Sequence, residues 1–208
     1  MDTLKAGLIS ALLHLLSLLP LSAARWLGRL GARLYWPIGG RSRAVTERNI
    51  ALAFPELDEQ QQAELARRSL MATAELAAEM GHVWLRSWDY VQSLILRVEG
   101  DRQITDCLAT GRGVIVLAPH LGNWEIIGLH LGLLGDTVSL YEPPALARLG
   151  PLIERGRQRS GATLVPTGSK EIATTSPEVS LPRGSKPQRT ASTVASGWAV
   201  THRWVAGS

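Results

Sequence analysis

The residues best suited to acid–base chemistry are His120 and Glu125, which stand five positions apart in the segment His-Leu-Gly-Asn-Trp-Glu. The apolar run before them, Gly113–Pro119, is rich in β-branched residues and predicts a buried strand. Asn123 is then a predicted N-cap, so Glu125 falls in the first turn of the following helix. A histidine oriented by a carboxylate can take a proton from a hydroxyl group. We therefore interpret His120 as a general base and Glu125 as its partner.

The same two residues also allow a structural interpretation, in which the histidine packs and Glu125 favours the helix N-terminus through the dipole. The surrounding residues favour catalysis. His-x4-Glu at a strand–helix junction resembles the His-x4-Asp/Glu motif of glycerolipid-type acyltransferases. The run 118–125 is similar to the late (lauroyl or myristoyl) acyltransferases of lipid A biosynthesis, and this resemblance covers about residues 4–170.

The resemblance implies a reaction as well as a fold. His120 would activate a hydroxyl group on a lipid A precursor, and Glu125 would stabilise the imidazolium. The alkoxide would attack the thioester of an acyl carrier protein, which makes that acyl-carrier protein a co-substrate and leaves no cofactor to be bound. Backbone N–H groups of Gly122 and Asn123 would hold the oxyanion, so we count both among the substrate-binding residues.

Arginines form a second group that could bind substrate. Arg155, Arg157 and Arg159 occupy alternate positions, so at least one must face away from the others on a helix. Guanidinium groups bind phosphates bidentately, and lipid A precursors carry phosphates. The stretch resembles an Arg-x-Arg-Ser element of the same family, which implies substrate binding. A solvated helix end is the alternative.

Several other chemistries are disfavoured. His120, Glu125 and His130 recur every five residues, which places them on no single helical face, so we expect no metal site. Cys107 is the single cysteine, which excludes an internal disulfide. The net charge is only +4 and no nucleic-acid-binding module is present, so we expect no nucleic-acid partner.

The N-terminal region predicts membrane attachment. Ala6–Ala24 contains no charged residue and, at 19 residues, is long enough to cross a bilayer. Arginines after this segment favour a retained anchor over a cleaved signal peptide and place the body on the cytoplasmic side of the inner membrane. A helix lying in the interface or packed in the fold is the alternative. Arg25, Arg29 and Arg33 share a face, so residues 1–36 are predicted to form an anchor and a basic amphipathic helix.

The remaining body alternates helices with strands. Asp58 and Gln61 have the spacing of a capping box before a long helix. The alternation predicts an α/β fold with a mainly parallel sheet, like the glycerolipid acyltransferases but incomplete at the C-terminus, with residues 37–170 as a partial acyltransferase domain. Helices are predicted over 41–54, 58–82, 102–110, 124–135 and 145–160, and strands over 94–99, 113–119, 136–141 and 162–166.

The alternating pattern stops after Lys170. Residues 171–208 are rich in Ser, Thr and Pro without periodicity and predict a disordered tail. The resembled family continues further, so we interpret the tail as the out-of-frame end of a truncated or frameshifted product. We therefore expect exposed apolar surface around Val114–Leu117 and little or no activity.

The predicted function is acyl transfer to a hydroxyl group of a lipid A precursor in lipopolysaccharide biosynthesis. The first 50 residues hold seven Lys or Arg against two acidic residues, a field that suits an acidic acyl carrier protein. Coenzyme A is also anionic, so the resemblance supplies the preference for the carrier. The alternatives are a lysophospholipid or glycerol-phosphate acyltransferase, which would share the base motif, and a non-catalytic membrane-bound remnant.

Overall fold

The chain forms two compact units, of which one contains Met1–Ser87 with Leu121–Asn123 and the other Trp88–His120 with Trp124–Ser208. The structure, a computed structural model, describes residues 2–167 and the backbone of Ala199–His202. The described elements of the first unit are all helices. The second unit combines short helices with two two-stranded sheets.

The first unit is built around one long helix. Three helices, α1 (Asp2–Leu18), α2 (Leu21–Tyr35) and α3 (Arg41–Ala53), each contact α4 (Glu59–Leu85). The N-terminus of α4 is closed reciprocally: the Gln61 N–H donates to Asp58 Oδ1 at 2.8 Å, and the Asp58 N–H donates to Gln61 Oε1 at 3.0 Å. The predicted capping box is therefore confirmed.

Two glycines allow α1 and α2 to approach α4 at backbone distance. A Cβ on Gly28 of α2 would lie 2.5 Å from the carbonyl oxygen of Ala74 in α4. A Cβ on Gly81 of α4 would overlap the carbonyl oxygen of Leu13 in α1. No larger residue fits at either position without moving a helix, so these glycines set the spacing of the first unit.

The predicted anchor Ala6–Ala24 is not a single helix. The chain leaves α1 after Leu18 and starts α2 at Leu21, because Pro20 has no N–H to donate and its ring blocks a continuous helix. Within residues 2–167, no helix is both long enough and apolar enough to cross a bilayer. The prediction that this segment forms a single helix is therefore wrong, and its attachment to a membrane stays a prediction.

Two arginines of the predicted basic face of α2 pair with carboxylates of α4, while Arg29 and Arg33 stay exposed. The Nε of Arg25 lies 3.0 Å from Glu79 Oε1, and the Nε of Arg29 donates to Glu75 Oε1 at 2.7 Å. Carboxylates of α4 thus form ion pairs with two of the three arginines that were predicted to face anionic lipid. Trp26, on the apolar stripe of the same helix, is 57% exposed instead.

The second unit contains short elements only. Its helices are α5 (Trp88–Ser93), α6 (Asp101–Ala109), α7 (Trp124–Leu134) and α8 (Gly150–Gln158), and its strands are β1 (Ile95–Glu99), β2 (Val138–Tyr141), β3 (Thr163–Pro166) and β4 (Ala199–His202). Strands β2 and β3 are parallel, and α8 lies in the connection between them. Strand β1 pairs antiparallel with β4, which the sequence did not predict. The rest of the predicted tail lies outside the described residues.

The predicted buried strand at Gly113–Pro119 is wrong. These residues are irregular, and Ile115 and Leu117 are 92% and 88% exposed. β-branched residues favour a strand only where a neighbour and a covering layer exist, and no third strand joins β2 and β3 in the described part of the chain. The expected exposure of apolar surface here is confirmed. The fold is thus mostly helical, with a small parallel sheet in place of the predicted mainly parallel one.

Candidate active site

His120 follows the irregular segment and is separated from α7 by Leu121, Gly122 and Asn123. The imidazole is exposed and meets the Trp124 indole edge-on, with ring centroids 4.4 Å apart and planes at 63°. The helix that was predicted to follow the motif begins at Trp124. An imidazole held on one side by an aromatic ring and open to solvent on the other can meet a hydroxyl group of a substrate.

Glu125 is buried in the first turn of α7, with 5% of its surface exposed. Arg157 of α8 donates to it twice, from Nε to Oε2 at 2.8 Å and from Nη2 to Oε1 at 2.5 Å. This fork is the geometry in which guanidinium and carboxylate groups bind most strongly. The hydrogen bond to Glu125 is the main cause that raises the pKa of Arg157, so the guanidinium remains charged. The sequence did not reveal this pair, and the orientation of His120 by Glu125 stays a prediction.

Tyr141 and Glu154 extend this group of charged residues. Tyr141 is the last residue of β2, and its hydroxyl donates to Glu154 Oε1 on α8 at 2.6 Å. That hydrogen bond raises the pKa of the Tyr141 phenol, which therefore keeps its proton. Arg157 interacts electrostatically with Tyr141. The sequence assigned no role to either residue; the one signal was the position of Tyr141 at the carboxyl end of a predicted parallel strand.

The three predicted substrate-binding arginines lie in different surroundings. Arg157 pairs with Glu125, Arg155 is exposed, and the Arg159 guanidinium lies 5.9 Å from the centre of the Trp88 ring. Burial lowers the pKa of Arg159. The expectation that at least one of the three faces away is confirmed. Phosphate binding by these arginines stays a prediction.

Gly122 and Asn123 form the turn between His120 and α7. Gly122 has φ of 59°, a left-handed conformation that favours glycine. Asn123 belongs to the first unit and is 2% exposed; its Nδ2 donates to Glu79 Oε2 at 2.8 Å. Burial is the main cause that raises the pKa of Glu79, and the hydrogen bond from Asn123 opposes it. The Asn123 side chain therefore serves the α4 network, and oxyanion binding by the backbone of this turn stays a prediction.

His130, a largely buried histidine of the second unit, contacts a carboxylate and has a structural role. His130 Nε2 lies 3.0 Å from both carboxylate oxygens of Asp101, which joins α7 to the start of α6. Among the residues that the structure describes, no group of three or more His, Cys, Asp or Glu side chains could hold a metal ion.

Comparison with known proteins places the chain in a family. The family model described as bacterial lipid A biosynthesis acyltransferase matches residues 2–176. The chain is 24% identical over 154 residues to the lipid A biosynthesis palmitoleoyltransferase of Escherichia coli (strain K12), which covers 71% of this chain and 48% of that protein. It is 22% identical over 134 residues to a lipid A biosynthesis acyltransferase of Haemophilus influenzae, which covers 62% of this chain and 40% of that protein.

The chain thus spans less than half the length of these curated relatives. No solved structure matches it. The family match nevertheless covers most of the sequence, including the His120 motif and the arginines of α8. The chain therefore belongs to the bacterial lipid A biosynthesis acyltransferase family.

Proposed function

We propose that this chain carries the site at which a fatty acyl group passes from an acyl carrier protein thioester to a hydroxyl group of a lipid A precursor. The observation that carries the proposal is an exposed imidazole, His120, five positions before a buried carboxylate, Glu125, that an arginine holds bidentately. An accessible base that lies close in sequence to a fixed charged pair suits proton transfer without a covalent acyl-enzyme.

In the proposed reaction, His120 takes the proton of the acceptor hydroxyl group as its oxygen attacks the thioester carbonyl carbon. The tetrahedral intermediate then expels the carrier thiolate by breaking the C–S bond, and the imidazolium returns the proton to that thiolate. Glu125 favours the imidazolium electrostatically, while its pair with Arg157 fixes the first turn of α7. Backbone N–H groups of the Gly122–Asn123 turn are the proposed donors to the oxyanion.

We place the protein at the cytoplasmic face of the inner membrane, with α1 lying in the interface. Leu4, Leu8, Leu12 and Leu15 are exposed and recur at helical spacing, so they form one apolar face of α1. A helix that presents such a face supports attachment along the bilayer surface without spanning it. Because the acceptor is a lipid, attachment to the bilayer would bring the protein to the membrane that holds the acceptor.

The test is transfer by the purified 208-residue chain from a lauroyl or myristoyl acyl carrier protein to a lipid A precursor, measured by mass spectrometry. His120→Ala should reduce transfer at least about 100-fold, since a general base contributes that much or more. His14→Ala, which changes an exposed histidine of α1, is the matched control and should retain activity. Full activity in the His120→Ala variant would overturn the assignment of the base.

Two further outcomes separate the alternative functions. A lysophosphatidic acid acceptor and an acyl-coenzyme A donor should each be used poorly; preference for either would favour a glycerolipid acyltransferase. We expect turnover to be slow, because the segment before His120 is exposed and irregular. Absence of any His120-dependent transfer would favour a non-catalytic, membrane-bound protein.

A further inference from the structure

Arg157 binds Glu125, and a second carboxylate, Glu154, lies three residues before it on the same helix. Glu125 reaches it from α7, and Glu154 precedes it by three residues on α8. Side chains three residues apart lie on the same helical face and commonly form ion pairs. Here the guanidinium donates twice to Glu125, while Glu154 accepts from Tyr141.

The same spacing in α4 shows what Glu154 and Arg157 could do. Arg67 donates to Glu64, three residues before it, from Nε at 2.9 Å and from Nη2 at 3.0 Å. A glutamate and an arginine in this order can thus form a forked pair along one helix. In α8 the glutamate is already occupied by a phenol.

We propose that Tyr141 is a positioning residue that, by donating a hydrogen bond from its hydroxyl group to Glu154, keeps this carboxylate from sharing Arg157 and so preserves the fork between Arg157 and Glu125. The inference deepens the proposed function, and only the expected effect of Tyr141 on acyl transfer rests on that function. Whether Glu154 shares the guanidinium of Arg157 can be measured without any acyl transfer.

The geometry supports this role of Tyr141. As the last residue of β2 it pairs with Pro166 of β3, so its backbone is fixed by the sheet. The phenol keeps its proton because the bond to Glu154 raises its pKa. The Glu154 carboxylate lies toward the N-terminal turn of α8, since a Cβ on Gly150 would be 3.7 Å from its Oε1. A change of side-chain rotamer would bring it toward Arg157 once the phenol no longer holds it.

Loss of the phenol donor should therefore weaken the Glu125–Arg157 pair. A free Glu154 could take N–H groups of the guanidinium and distort its fork to Glu125, although Arg157 would stay mainly on Glu125 because a buried charge is the costlier one to leave unpaired. Because Glu125 lies in the first turn of α7, the chain next to His120 would lose a fixed contact. Tyr141 thus acts on the site through Glu154 and Arg157 and does not itself meet the reacting atoms.

The test uses the full chain with ¹⁵N-labelled arginine and the Nε–H signal of Arg157, assigned with Arg157→Lys. Tyr141→Phe removes only the hydroxyl and should shift this signal and accelerate its exchange with solvent. Glu154→Gln alone should leave the signal in place. Adding Glu154→Gln to Tyr141→Phe should return it to the wild-type position, because a neutral amide does not compete for the guanidinium. Glu64→Gln, matched in spacing but located in α4, should move the Arg67 signal and leave that of Arg157 unchanged.

Acyl transfer provides the second readout. Tyr141→Phe should lower kcat about tenfold at unchanged KM, and the double variant should regain it, as expected for a residue that orients the site and binds no substrate. If the wild-type chain transfers no acyl group, the proposed function fails, while the Arg157 signal still decides the positioning inference.

The inference is overturned if Tyr141→Phe leaves the Arg157 signal unchanged. It is also overturned if the double variant is as perturbed as the single one, since Tyr141 would then act by packing. If Tyr141→Phe does not fold, a folded double variant with a wild-type Arg157 signal supports the inference, and an unfolded double variant contradicts it.

Discussion

The buried carboxylates Glu79 and Glu125 show how differently the two units hold charge. Glu79 lies deep in α4 and is bound by an arginine of another helix and by the Asn123 amide. Glu125 lies in the first turn of a short helix, and a single guanidinium clamps both of its oxygens. The first unit thus distributes the charge over a regular helical frame. The second concentrates it in one pair that joins two short helices.

This difference indicates where each unit is sensitive to substitution. In the first unit, close backbone contacts at Gly28 and Gly81 already fix the helices, and the polar network is added to that frame. In the second, α7 and α8 are short, and the Glu125–Arg157 pair supplies a specific link between them. Substitutions should therefore act through sterics in the first unit and through charge in the second.

The largest expected effect is that of Arg157→Met, which leaves Glu125 buried without its forked partner. Breaking a buried ion pair from one side costs about 3–5 kcal/mol, and partial exposure of Arg157 places the expected loss near the lower end. Urea unfolding followed by circular dichroism measures this loss. Arg155→Met, on the same helix but exposed, should change the free energy of unfolding by less than about 0.5 kcal/mol. Equal effects of the two variants would remove charge as the distinguishing feature of the second unit.

A steric substitution tests the first unit. Gly28→Ala places a methyl group 2.5 Å from the Ala74 carbonyl oxygen and should destabilise the protein by about 1–3 kcal/mol, as overpacking does. Gly31→Ala, in the same helix with no atom within 4 Å of the new Cβ, should stabilise it by about 0.5–1 kcal/mol. Thermal unfolding of both variants gives the comparison, and a shift in the same direction for both would argue against close packing at Gly28.

The N-terminus of α4 offers a smaller effect within the same frame. Asp58→Ala removes the side-chain acceptor for the Gln61 N–H and should cost about 1 kcal/mol. Asp58→Ser keeps an acceptor at this position and should restore most of the stability. A loss in the serine variant as large as in the alanine variant would show that the cap contributes little.

The smallest effect is confined to acid conditions and concerns His82, which is fully buried in α4. Burial is the main cause that lowers its pKa from the ordinary 6.5, and the charge of Arg86 acts in the same direction. The unfolded chain binds a proton near the ordinary pKa and the folded chain resists it, so this contribution to stability is present above 6.5 and is lost as the pH falls through the folded pKa. His82→Gln should flatten the fall of stability below about pH 6.5, whereas His14→Gln should not. A slope that stays unchanged in His82→Gln would assign it to other groups.

Local patterns predicted those features that depend on neighbouring residues. The capping box at Asp58, the start of α7 at Trp124 and the two parallel strands follow from spacing within a few positions. The strand expected at Gly113–Pro119 did not follow, because a strand needs a partner that local composition cannot supply. The single anchor helix failed for a local reason that the sequence did contain, namely Pro20.

The candidate site was predictable only in part. The motif identified His120 and Glu125, and Arg157 was named for phosphate binding before the structure paired it with Glu125. Glu79 gave no signal, and Tyr141 gave only its position at the end of a predicted strand, since their partners lie 44 and 13 residues away. Contacts of this kind arise when folding brings distant side chains together, and composition does not encode the distance between them.

The glycine at position 28 also limits how α2 can be aligned with α4. The Ala74 carbonyl accepts only a residue without a Cβ, and the next such residue in α2 is Gly31. Sliding α2 by three residues, about 4.5 Å along its axis, would bring Gly31 to this carbonyl but would also bring Leu27 and Tyr35 to the buried positions of Ala24 and Ala32. That alternative alignment would put Gly28 where Arg25 now meets Glu79, and Ala32 where Arg29 now meets Glu75. The glycine at position 28, the buried alanines and the ion pairs thus favour the same alignment, which gives α2 one register against α4.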